Sequence, residues 1–78
     1  MEYYVLEAVK IKNQNTAAAV TIKTDEKEAK MTFHQILASA YANPDLENVV
    51  VEITNSYGGR VDVENWAAPV EPEPEPEI

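Results

Sequence analysis

Apolar residues along this chain first crowd and alternate, then recur every three or four positions, then alternate again. Residues 3–12, Tyr-Tyr-Val-Leu-Glu-Ala-Val-Lys-Ile-Lys, are rich in aromatic and β-branched types and predict a first strand. The polar run Asn13-Gln14-Asn15-Thr16 breaks it. Residues 17–23 predict a second strand, with Ala18, Val20 and Ile22 on one face and Thr21 and Lys23 on the other. The two strands are expected to form a hairpin with a loop of about four residues.

The middle of the chain changes period. Ala29, Phe33, Ile36, Leu37, Ala40 and Tyr41 follow at spacings of three and four. At 100° per residue they cover about 140° of a helix surface, the width of a core-facing stripe. Asp25 stands as N-cap with Glu28 three positions on, as in a capping box, and Thr24 is the competing cap. Pro44 holds Asn43 out of the α region and ends the helix, which is predicted over residues 26–42. Alternation then resumes. Residues 48–55 predict a third strand, with Val49, Val51 and Ile53 on one face and Val50, Glu52 and Thr54 on the other. Gly58-Gly59 can supply the two positive-φ positions of a type I′ turn. Residues 60–66 follow as a fourth strand, with Val61 and Val63 toward the core and Arg60, Asp62 and Glu64 toward water.

The element order is ββαββ. The helix returns the chain, so placing the third strand beside the first gives a wholly antiparallel sheet in the order 2-1-3-4. One helix covers one face, which makes an α+β two-layer domain. The first strand is apolar on both faces in its first half, and the third carries three consecutive valines, so both are expected at the centre. Glu7 interrupts the row Tyr3, Val5, Val9, Ile11. A bulge that shifts the register is the favoured reading, and partial burial against Arg60 or a lysine is the other. With either parity, apolar residues are left on the sheet face away from the helix. Tyr4, Leu6, Val50 and Trp66 are the candidate interaction surface.

Composition narrows the chemistry. The 78 residues are 45% hydrophobic and 26% charged, as in an ordinary globular domain. There is no cysteine and one histidine, so neither thiolate chemistry nor a pair of histidine ligands is available within one chain. Six bases against 14 acids give a net charge of −8, which argues against direct binding of nucleic acid through its phosphates. Half of that excess lies in residues 69–78, Pro-Val-Glu-Pro-Glu-Pro-Glu-Pro-Glu-Ile, with four acids and no base. Repeated Glu-Pro favours extended polyproline II, so residues 1–68 are expected to form the domain and residues 69–78 a disordered acidic tail. Met1 is followed by Glu2 rather than a basic segment, and the apolar run Tyr3–Leu6 is too short for a signal peptide. The expected location is the cytoplasm, with no membrane contact.

No residue pattern points to an enzyme. His34 lies about 20° beyond Tyr41, at the rim of the helix stripe, without a companion acid or nucleophile. Ser39 and Ser56 sit in no nucleophile-elbow pattern. Gly58-Gly59 lacks the glycine run, helix and lysine of a phosphate loop. The tail glutamates, two residues apart on a threefold helix, diverge rather than converge on a cation. No catalytic residue, cofactor or metal is expected.

The opening Met1-Glu2-Tyr3-Tyr4-Val5-Leu6, the helix core from Met31 to Ala40 (MTFHQILASA) and the closing Tyr57-Gly58-Gly59 resemble the small ββαββ proteins of bacterial prophages and mobile elements. The resemblance covers residues 1–66. It implies the fold, and no activity or site residue, because that group has no established one. The sequence thus predicts a non-catalytic protein-interaction module that pairs with a second copy through its sheet, with a further protein partner unspecified. The alternative is an acidic mimic of nucleic acid that inhibits a DNA-binding enzyme.

Overall fold

The computed structural model describes residues 1–69. The chain runs β1 (Tyr3–Ile11), β2 (Ala17–Lys23), α1 (Glu26–Tyr41), β3 (Leu46–Asn55) and β4 (Arg60–Ala67). All neighbouring strands are antiparallel, in the order β2-β1-β3-β4, and α1 packs on one face. The fold is the α+β two-layer ββαββ that the periodicity predicts. The proposed disordered tail lies outside the described residues from Val70 onward. Among the described residues, no helix is long and apolar enough to cross a membrane.

The core lies between α1 and the two central strands. Ala29, Phe33, Leu37 and Ala40 of the helix pack on Val5 of β1 and on Leu46, Val49, Val51 and Ile53 of β3. Tyr3, Val9, Ile11, Ile36 and Val61 close its margins. Among the described residues, every buried residue of the core is apolar, so no buried side chain there carries the cost of an unpaired polar group. Leu46 extends β3 two residues beyond its predicted start. Its N–H bonds to Asn43 O at 3.2 Å, so the chain turns tightly after Pro44 and enters the sheet at once.

Three local expectations change. Asp25 is the N-cap in extended conformation, but its carboxylate makes no cap hydrogen bond, so no capping box forms. The β3–β4 turn is not a type I′ pair, because only Gly58 has positive φ, at 82°. Asn55 builds that turn instead: its Oδ1 accepts the N–H groups of Tyr57 at 3.0 Å and Gly59 at 2.9 Å. Finally, Glu7 is not in a bulge. The β1–β3 register runs unbroken from Tyr3 to Lys10, with Glu7 opposite Val51, and shifts only between Lys10 and Ile11. Nor does Glu7 meet Arg60, which pairs with Glu52 at 2.8 Å.

Candidate interaction surface

Cross-strand register decides which side chains share a face. Tyr3, Val5, Glu7, Val9 and Ile11 face the helix, so Tyr4, Leu6 and Ala8 face away. The even positions of β2 pair with them: Ile22 with Tyr4, Val20 with Leu6, Ala18 with Ala8. On the other side, Ala8 pairs with Val50 and Leu6 with Glu52. Val50 and Glu52 in turn pair with Asn65 and Val63. The result is a continuous apolar band across all four strands on the face opposite α1. Val20, Ile22, Val50, Val63 and Leu6 there remain 57%, 58%, 42%, 39% and 38% exposed, which is more apolar surface than a covered sheet leaves.

Tyr4, Leu6 and Val50 therefore stand on the predicted surface. Trp66 does not. It pairs with Val49, whose side chain is in the core, and so lies on the helix side. There its ring meets Tyr41 edge-on, with centroids 6.0 Å apart. The Tyr41 hydroxyl donates to the Glu64 carboxylate at 2.8 Å. This bond holds the phenol above its ordinary pKa, because it stabilises the neutral, donating form. Val63 is also reversed, since it pairs with Glu52 on the open face instead of entering the core. The cause is one extra residue in β4. Ile53 opposes Asp62 while Thr54 opposes Arg60, which leaves Val61 as the bulged residue, packed inward. Every position after it is inverted relative to an alternation read from Val61.

Arg60 and Glu52 bond to each other at 2.8 Å, and Lys10 reaches Glu47 at 3.3 Å. The Tyr4 hydroxyl donates to Glu2 at 3.1 Å, which raises its pKa in the same sense as that of Tyr41. His34 is exposed on α1, its ring against Phe33, away from the band. Ser39 of α1 and Ser56, in the turn after β3, are exposed. Among the described residues, no group of three or more His, Asp and Glu is placed to hold a metal ion.

The other concave feature lies on the helix side. Helix α1 sits over β1 and β3 and makes a lighter contact with β2, whose helix-side residues Ala17 and Ala19 are short and exposed. Between the C-terminal half of α1 and β1 lies a cleft of about 440 Å³. Val9, Ile11, Ile36 and Ala40 give it an apolar floor and wall, and Glu7, Gln35, Ser39 and Asn43 supply its polar groups. The expectation from sequence missed this site, because Glu7 read as a fault in a core row. Its signal was that acid within an apolar helix-facing row, with Gln35, Ser39 and Asn43 along the edge of the helix stripe.

No protein-family model, curated protein or solved structure matches the chain.

Proposed function

We propose that this protein is a non-catalytic protein-interaction module whose working surface is the sheet face opposite α1, and that the occupant of that face is a second copy of the chain. The observation that carries this reading is the band Val20, Ile22, Leu6, Val50 and Val63, contiguous across four strands and left open by α1. Two such faces stacked about 10 Å apart bury it by the symmetric, self-complementary contact that is commonest among homodimers. A small domain also has reason to use such a contact. About 70 residues bury too little on folding for a large stability margin, and this chain has no disulfide to add one. The two ion pairs beside the band are internally neutral, so they do not oppose the approach of an identical face.

The alternative reading, nucleic-acid mimicry, needs carboxylates spread over one surface. Residues 1–68 hold ten acids but also six bases. Glu47 and Glu52 are paired to bases, and Lys23, Lys27 and Lys30 surround the acids at the helix start. That dilution favours the module. Sedimentation equilibrium of the full chain, from low to high micromolar concentration, tests the reading. The expected mass rises toward twice 8.7 kDa, and a constant 8.7 kDa overturns self-association.

A further inference from the structure

The Glu7 carboxylate is the feature that the interaction surface does not use. It is half-buried on the helix side, between Ala19 of β2 and Val51 of β3. The two ion pairs among the described residues engage Glu47 and Glu52, and no side-chain hydrogen bond reaches Glu7 from Gln35 or Ser39 across the cleft. Beside it on the same face of β1, Val9 and Ile11 present an apolar floor, and Ile36 of α1 an apolar wall. A carboxylate at the edge of an apolar surface gains from a cation, and the floor gains from covering by an apolar body. The cleft volume of about 440 Å³ lies in the range of small-ligand sites, which combine an apolar lining with a few polar groups that fix orientation.

We propose that this cleft binds a small organic monocation, a primary amine on an alkyl or aryl body. The ammonium group bonds to Glu7 and takes further acceptors from the Gln35 side-chain carbonyl and the Ser39 hydroxyl. The body lies along Val9, Ile11 and Ile36. The site is on the opposite side of the sheet from the self-association face, so the two proposals stand or fall separately. Anions are disfavoured here by Glu7. Neutral molecules of the same shape gain the apolar contact but leave the carboxylate unpaired.

Amide NMR titration of the full chain with 2-phenylethylamine, and in parallel with 2-phenylethanol, tests this. The amine is expected to give saturable shifts at Glu7, Val9, Ile36 and Ala40, with an affinity at least about tenfold above that of the alcohol. Glu7→Gln, conservative and half-exposed, is expected to bring the two ligands to equal affinity. Ser39→Leu, an exposed position that narrows the cleft, is expected to weaken both. Equal binding of amine and alcohol by the natural chain overturns the proposal. So does the absence of saturable shifts at these residues, or an amine affinity unchanged in Glu7→Gln.

Discussion

Val50→Asp separates the open sheet face from the core by one residue of one strand. Val49 and Val51 on either side are fully buried under α1, whereas Val50 faces away and keeps 42% of its surface exposed. Complete burial of a valine is worth about 1.5–3 kcal/mol, so a second copy covering the exposed part gains about 1 kcal/mol here, and a symmetric pair about 2 kcal/mol. At 1.4 kcal/mol per decade, losing that burial alone weakens the dimer by about 30-fold. The substitution also places a carboxylate from each copy in the contact, and desolvating each costs several kcal/mol, which takes the expected loss beyond about 1,000-fold. The monomer loses less. Asp is disfavoured in a strand by about 1 kcal/mol, and the packed part of Val50 adds about 1–2 kcal/mol. Against a stability of about 3–10 kcal/mol for a domain of this size, the fold is expected to survive. Sedimentation equilibrium reads the association and far-UV circular dichroism the fold. Val20→Asp, at an outer-strand position with 57% exposure, gives the same result at a smaller cost to folding. A dimer undiminished by both substitutions refutes the assignment of the interface to this face.

Two further outcomes follow from the helix side of the sheet. Ile53 is fully buried against α1, so Ile53→Ala is expected to cost about 2–5 kcal/mol by urea denaturation; a loss under about 1 kcal/mol would contradict the core described above. The folded Tyr41 phenol titrates above its ordinary value of 10.0 because the neutral form donates to Glu64. The contact is therefore fully present below pH 10 and lost as pH rises through the higher folded value. Tyr41→Phe is expected to remove part of the late limb of the ultraviolet titration, and an unchanged late limb would contradict the bond.

The helix, the strand order and the buried row of β3 were legible because each rests on a period sustained over many residues. Ala29, Phe33, Leu37 and Ala40 could share a face only as a helix, and Val49, Val51 and Ile53 only as a strand. The face of Val50 was legible for the same reason, whereas that of Tyr4 and Leu6 stayed open between the two readings of Glu7. Trp66 and Val63 were not legible, since period two has no memory across an inserted residue. The bulge at Val61 follows a turn that Asn55 builds by side-chain hydrogen bonds, and neither feature shows in the pattern. Glu7 failed differently. The alternation through it was regular, and the assumption at fault was that a helix-facing position is a covered one. Coverage depends on the width of the neighbouring strand's side chains, and Ala19 gives the helix nothing to rest on.

The bulge has a second effect, at the rim of the sheet. An outermost strand offers unpaired backbone groups to any extended chain, and proteins block this with bulges, charges or prolines. β4 has both a bulge and the charged residues Arg60, Asp62 and Glu64. β2, Ala-Ala-Ala-Val-Thr-Ile-Lys, has no proline, no bulge against β1, and a single charge at its end. Strand addition is thus open on one rim and closed on the other. A contact between two β2 strands uses up both open rims and stops at eight strands. Were Val61 deleted and β4 made regular, part of that barrier would go, and the same sheet could extend from both sides into a fibril.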